Sequence, residues 1–293
     1  MAIKIICCHP IFIENALELC KRYNWPIVRD LIPEYKDIYI LLGANEKPDF
    51  FLKAQEESNF KFYYIILNSE QIESRFLKNE RYIKLLKDNF VFSYSNYLKL
   101  CMETNLNIKC SGSFHFQFLT DDSHSYKNVN ENENENENVN VNVKANKEYD
   151  VVFVGSFNNK RKNILDSLKL TSLNIYSDFE WKHISPADIT NLLEKSKVVL
   201  NIPYYNNNAL ETHRIIKALC CGCEVISLHS FDKELDDIFD DYIYFTDDII
   251  ECVKKYFNNE LVQKKHYKEL LSKLDSTFGV NFISCVNAIK DNI

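Results

Sequence analysis

Three stretches near the start of the chain are apolar at nearly every position: IKIICC (3–8), DIYILL (37–42) and KFYYIIL (61–67). A fourth, NFVFSYS (89–95), follows the same pattern. Runs this short, rich in Ile, Tyr and Phe, predict strands, and unbroken apolarity predicts strands buried on both faces. Between them, ENALELCKRY (14–23) and NERYIKLLK (79–87) space their apolar residues at the helical period. The second half repeats the alternation. YDVVFVGS (149–156), SLNIYS (172–177), KVVLNIP (197–203), EVISL (224–228) and YIYF (242–245) predict strands, with helices near 160–169, 186–195, 209–220 and 247–257. Two more helices are expected beyond about residue 260. Strand and helix alternating in this way is the signature of an α/β protein with parallel sheets covered on both sides.

One segment breaks the pattern. SHSYKNVNENENENENVNVNVKANK (123–147) holds almost no large apolar side chain, and such a stretch cannot bury enough surface to offset its ordering entropy. It divides the chain into an N-terminal domain (1–120), a low-complexity linker or insertion (121–148) and a C-terminal domain (149–293). The expected architecture is two Rossmann-like domains whose parallel sheets face a central cleft. Ligands of open parallel sheets bind beyond the carboxyl ends of the strands, so the residues just after each strand are the ones to inspect.

Composition narrows the function. The net charge of −7 argues against nucleic acid, which selects a basic surface. No apolar run reaches the ~18 residues of a membrane span, so no integral membrane segment is expected. Ten cysteines sit largely in apolar surroundings, as in Cys7–Cys8 and Cys220–Cys221–x–Cys223. This favours free thiols in a reducing compartment over a disulfide framework. Together with His213 and His229 the second cluster offers one knuckle of a zinc site and no second, so no metal centre is expected. Only five glycines occur, which makes each one informative.

Two stretches carry candidate chemistry. In DVVFVGSFNNKRKNIL (150–165) a strand ends, Gly155 and Ser156 turn the chain, and a helix begins near Lys160. Glycine admits close backbone approach, a helix start presents free N–H groups, and the planar fork of Arg161 suits phosphate. In NNNALETHRIIKALCCGCEVIS (206–227), Asn208 reads as an N-cap and Glu211 as the third residue of a capping box. Arg214 then stands near the positive end of the helix, a placement that an anionic ligand would relieve. Gly222 is expected to end the helix as its C′ residue.

These motifs, taken in order as FVGSFNNKR, SKVVLNIPYY and ALETHRIIKALCCGCEVIS, with FDKELDDIFDDYIYF after them, resemble the donor domain of GT-B glycosyltransferases. In the first half, YYIILNSEQIES and NFVFSYSNYLKL are similar to acceptor-domain segments of glycosyltransferase-like proteins of large DNA viruses and some bacteria. The resemblance implies a nucleotide sugar in the cleft. Gly155, Ser156 and Arg161 would face its diphosphate, Glu211 a ribose or sugar hydroxyl, Arg214 the leaving diphosphate, and Tyr204 the base. Many retaining members carry a second glutamate where this chain has Lys217, which puts direct transfer of that mechanism in doubt.

The first half has to supply the acceptor side and, for an inverting reaction, a base. His9 directly follows the first strand, and Glu70 with Gln71 follows the third. Ser93 to Asn96 and His115 are further candidates. The acidic doublets Asp236–Asp237 and Asp247–Asp248 are expected on solvated helix faces, not as an Asp-x-Asp metal site. The resulting expectation is a metal-independent, cofactor-free glycosyltransferase. It would move a sugar from a nucleotide donor to a hydroxyl on a glycan, protein or small molecule, in the cytoplasm, including that of a virus-infected cell. The alternatives are an inactive binding or scaffold relative and a nucleotide-sugar epimerase.

Overall fold

The computed structural model describes residues 1–115, 147–180 and 184–293. The predicted linker lies almost wholly outside these residues.

The first sheet is built from β1 (Ile3–Cys7), β2 (Ile38–Leu42), β3 (Tyr63–Asn68), β4 (Phe90–Ser93) and β5 (Cys110–Ser113), all parallel and adjacent in that order. Residues 26–28 add a minimal sixth position beyond β1. Ile5 donates its N–H to Pro26 O, and Val28 donates to Ile5 O, at 2.8 and 2.9 Å. Counting that segment second in chain order, the sheet reads 2-1-3-4-5-6, a doubly wound arrangement. The chain therefore leaves β1 in one direction through α1 (Ile13–Tyr23) and returns in the other through β2. The two faces are filled separately. Ile38, Ile40 and Leu42 of β2 pack in the same apolar cluster as Ala16 and Leu19 of α1. Tyr39 and Leu41 face the opposite side, with Phe51 and Leu52 of α2 (Pro48–Glu57) and Leu85 and Leu86 of α3 (Glu80–Lys87). The two-residue alternation of a strand buried on both sides explains why the sequence showed an unbroken apolar run.

The second sheet runs β10 (Tyr244–Thr246), β9 (Glu224–Leu228), β8 (Ser196–Asn201), β6 (Tyr149–Val154) and β7 (Ile175–Asp178). In chain order this is again 2-1-3-4-5, so both halves share one winding and each has a switch point beside its first strand. Helix α5 (Asn159–Lys169) follows β6, α6 (Pro186–Glu194) precedes β8, α7 (Thr212–Cys220) joins β8 to β9, and α8 (Lys233–Phe239) and α9 (Ile249–Phe257) complete the pattern. Together these are the α/β fold with two parallel sheets that the sequence predicted.

Among the described residues, nine of the ten strands match predicted segments. The tenth, β5, is Cys-Ser-Gly-Ser, and its small polar side chains give no apolar signal. At the end of α7, Gly222 adopts φ 69°, and Cys223 N–H donates to Ala218 O at 3.0 Å. This Schellman closure turns the chain into β9 as expected.

The halves are not packed independently. α4 (Asn96–Leu106) packs on β5, and β5 also packs against the chain's last helix, α11 (Val280–Asp291), which follows α10 (Tyr267–Leu274). Phe282 of α11 sits edge-on to Phe92 of β4 at 5.0 Å and to Trp25 at 6.4 Å. The Ile293 carbonyl accepts from Lys36 Nζ at 2.6 Å. The last helix thus closes on the first sheet, and one apolar cluster runs from Ile5 and Leu19 through Phe282 to Val199, Ile215 and Leu219.

Candidate functional site

In the second sheet the switch point lies between β6 and β8, and the predicted donor residues gather at its carboxyl end. Asn158 caps α5, its Oδ1 accepting from Arg161 N–H at 2.8 Å. The Arg161 side chain then turns inward and is 2% exposed. Its Nε and Nη2 both donate to Ile202 O, at 2.8 and 2.6 Å, and Nη1 donates to Ser156 O at 2.9 Å. Nη2 also reaches Glu211 Oε1 at 3.3 Å. The guanidinium lies over Phe153 on one side and Tyr204 on another, 5.1 and 5.3 Å from the ring centroids. Burial lowers its pKa to about 10, a shift opposed by Glu211 and reinforced by Arg214.

Arg214 reaches the same place from α7. Its Nη1 donates to Glu211 Oε2 at 2.9 Å and to Asn201 Oδ1 at 3.3 Å, with the guanidinium 5.3 Å from the Phe153 centroid. Glu211 therefore bridges two arginines, one oxygen to each. Gly155 closes the group: a Cβ there would stand 3.0 Å from Arg214 Nη2 and 3.3 Å from Arg161 Nη1. Any larger residue would displace the guanidinium pair, which accounts for one of the five glycines.

The expected capping box does not form. Helix α7 starts at Thr212, Glu211 is its N-cap residue, and the carboxylate makes no capping bond. Asn208 donates instead to the neighbouring Ala209 O, at 3.0 Å. The physical reason is competition: two guanidinium groups offer charge-assisted bonds, which outweigh a single backbone N–H. One carboxylate against two guanidiniums leaves a net positive charge beside two helix starts, and of the arginines Arg214 is the more accessible, at 23% side-chain exposure. Such an arrangement is suited to an anion.

Residues 145–270 match a family model described as glycosyl transferase-like. The whole chain is also similar to a solved structure of HepE from Anabaena in complex with UDP, with a TM-score of 0.49, 9% sequence identity, and coverage of 100% of this chain and 99% of that one. No curated protein matches. The arginine–glutamate cluster lies inside the glycosyl transferase-like segment.

So does Lys217, at the position noted for its missing acid. It reaches across to the first half, where its Nζ contacts both oxygens of Glu14 at 2.7 and 2.5 Å. One turn earlier, His213 Nε2 is 3.1 Å from Asn15 Oδ1, and its ring meets Phe12 edge-on at 5.7 Å. The α7 of the glycosyl transferase-like segment is thus seated against the start of α1, directly beyond β1. The two switch points face each other.

On the first-half side, His9 caps a 3-10 turn, its Nδ1 accepting from Ile11 N–H at 3.2 Å. A neutral imidazole in that bond carries its proton on Nε2 and offers a donor, not the free lone pair that a general base requires. Glu70 accepts from Asn45 Nδ2 at 3.0 Å and from Ser74 Oγ at 2.5 Å, and burial raises its carboxyl above the ordinary value. Ser95 caps α4, its Oγ accepting from Leu98 N–H at 3.0 Å, and is 0% exposed. His115 is buried, with Nε2 3.5 Å from Asp275. The acidic doublet Asp236–Asp237 is not wholly solvated: Asp236 is buried and accepts from Ser230 N–H and Oγ at 2.9 and 2.7 Å, because it stitches the loop before α8.

Residues that sequence reasoning missed include Asn201, which holds Arg214 and donates to Ser227 Oγ at 2.9 Å, and Thr212. The Thr212 Oγ1 is buried at the first position of α7 with no hydrogen-bond partner among the described residues. Asn201 closes an apolar strand, and a polar residue at a carboxyl strand end was the signal available.

Two histidines set a pH dependence. Burial lowers His213 to about 3, with Lys217 and Arg214 adding to the effect, and lowers His115 to about 4 against the pull of Asp275. Both stay neutral in the folded protein, while the unfolded chain takes up protons below about 6.5. Stability is therefore complete above that value and falls as pH drops from it towards 4. Urea unfolding at pH 7 and pH 5 is expected to show a loss of about 1–2 kcal/mol for each histidine. His213→Gln should flatten that slope.

Proposed function

We propose that this protein is a glycosyltransferase that takes a nucleotide-sugar donor and transfers its sugar to a hydroxyl acceptor. The observation that carries the reading is the meeting of Arg161, Arg214 and Glu211 around Gly155, at the switch point of the glycosyl transferase-like segment. In this reading the donor diphosphate lies against Arg214, Gly155 and the starts of α5 and α7. Arg214 offsets the charge that grows on the departing diphosphate, and fixed donors of this kind need no reorganisation during the reaction. Cationic assistance from side chains is why the reaction is proposed to be metal-independent. Tyr204, half exposed and already stacked against Arg161, is placed to border the base.

The acceptor enters from the first half. Of the two base candidates, Glu70 fits better than His9, because the Nδ1 lone pair of His9 is taken up by the Ile11 N–H, while burial raises the Glu70 carboxyl above its ordinary value and so strengthens it as a base. All ten cysteines are free thiols, which suits a reducing, cytoplasmic setting. One observation favours a second reading, a binding relative without turnover: Lys217 is engaged with Glu14 where retaining enzymes place an acid.

The test uses UDP-, GDP-, ADP- and CDP-sugars with and without EDTA. The expected result is slow release of nucleoside diphosphate from one base class, unaffected by the chelator. Thermal stabilisation without release would favour the binding relative, interconversion of donor sugars would favour an epimerase, and absence of any binding would overturn the proposal.

A further inference from the structure

The segment between β8 and α7, residues 202–211, has no secondary structure of its own, yet it carries Tyr204 and Glu211 and launches Arg214. It is held by groups from elsewhere in the chain. Arg161 binds the Ile202 carbonyl, and Asn158 Nδ2 donates to Tyr204 O at 3.1 Å. Phe231 N–H donates to Asn208 O at 2.9 Å. Two anchors come from the opposite half, from the loop after β3. Asn207 Nδ2 donates to Glu73 Oε1 at 2.8 Å.

The other is Gln71. Its Oε1 accepts from Ala209 N–H at 2.9 Å, and its Nε2 donates to Ala209 O at 3.0 Å. A primary amide has one acceptor and one donor side, so it completes a residue's N–H and C=O as a neighbouring strand would. Both partners are buried, Gln71 at 9% and Ala209 at 0% exposure. The orientation of the amide is fixed in turn by Tyr94, whose hydroxyl lies 2.5 Å from Nε2. Ala209 is two residues before Glu211.

We propose that Gln71 is a positioning residue for the donor site. From the first half it fixes the peptide from which Glu211 and Arg214 depart, so that docking of the halves sets the arginine–glutamate cluster. This rests on the reading of that cluster as the diphosphate site. Gln71 touches no reacting atom and acts through the backbone of Ala209. Its neighbour Glu70 is the base candidate, so in this reading one loop, 70–74, would carry the base and hold the donor segment. An interface that served only to join the halves would not need a bidentate amide on this particular residue. The pair Asn96–Glu234, at 2.9–3.0 Å, joins the halves elsewhere without touching residues 202–214.

The full chain with Gln71→Met, Tyr94→Phe or Asn96→Ala is compared with the unaltered protein in two measurements. One is amide hydrogen exchange of residues 204–214. The other is calorimetric binding of UDP, GDP, ADP and CDP. Gln71→Met is expected to speed exchange in that segment while β6 and β8 stay protected. It should also weaken nucleoside-diphosphate binding roughly tenfold, the scale of two lost hydrogen bonds. Tyr94→Phe should act in the same direction with a smaller effect, and it reads the same coupling if Gln71→Met does not fold. Asn96→Ala should change neither quantity. Unaltered exchange and affinity in Gln71→Met and Tyr94→Phe overturn the inference, as do equal losses in Asn96→Ala, which would reduce Gln71 to general docking. If the unaltered protein binds none of the four nucleotides, the diphosphate reading fails, and the exchange measurement alone decides whether Gln71 orders the segment.

Discussion

Arg214→Ala is expected to weaken nucleoside-diphosphate binding by roughly ten- to a hundredfold, the range of one or two charge-assisted hydrogen bonds, while leaving the fold nearly intact. The two arginines of the cluster differ in what they have left to give. Arg161 spends Nε, Nη1 and Nη2 on Ile202 O, Ser156 O and Glu211, and is sealed between rings. Arg214 bonds Glu211 and Asn201 through Nη1, and is partly exposed. Its Nη2 is the atom that a Cβ on Gly155 would meet, so it faces the turn where an anion would approach. Removing Arg214 leaves Glu211 still paired with Arg161, so the carboxylate is not stranded and stability should change little. Arg214→Lys should recover part of the affinity, since a point charge replaces the fork without its second bond. Calorimetric titration with the nucleoside diphosphate of the preferred base, alongside a thermal melt, checks both halves of this expectation. Equal affinity in Arg214→Ala and the unaltered protein would remove the cluster as the diphosphate site.

How much of this was legible in the sequence follows from the range of the interactions concerned. The strands were legible because burial on both faces demands unbroken apolar residues, as in Ile38–Leu42. Gly222 was legible because a positive φ after a helix leaves few choices of residue. Arg161, Glu211 and Arg214 were each legible as strand-end candidates, since position in an open parallel sheet follows from strand order alone. Their shared bonding was not: Glu211 follows Asn208 at the spacing of a capping box, and only the arrival of Arg161 from 50 positions away decides against it. Gln71 stood in a candidate list, but its partner lies 138 positions on, beyond any local pattern. Lys217 read as a departure from a family motif, and its partner Glu14, 203 positions earlier, gives it a role in seating α7 on α1. The segment at 26–28, which turns a sequential sheet into a doubly wound one, consists of one bridge and is too short for any periodicity to register.

Arg161→Leu is expected to cost the most stability of any change in the cluster, about 3 kcal/mol, as for other losses of one partner from a buried charged network. That is a fall of roughly 5 °C in Tm for a chain of this size. The side chain is among the largest fully buried ones in the molecule. Leucine fills part of the volume between Phe153 and Tyr204 but donates nothing. The Ile202 carbonyl, on a fully buried residue, then loses two donors, and the Ser156 carbonyl loses one. Burial has already drawn the Arg161 pKa down to about 10, so the native state bears a desolvation cost for keeping this cation, and the bonds to those carbonyls are what offset it. The segment from Ile202 to Glu211 should loosen from its first residue. Nucleotide affinity should therefore fall too, though Arg161 itself has little surface to offer a ligand. A comparison of the two variants separates the roles: Arg214→Ala loses affinity at constant Tm, while Arg161→Leu loses both, and saturating nucleotide should restore part of its Tm by mass action. If Arg161→Leu melted like the unaltered protein yet bound nothing, the buried arginine would be a ligand contact after all, reached by an opening of the turn at Gly155.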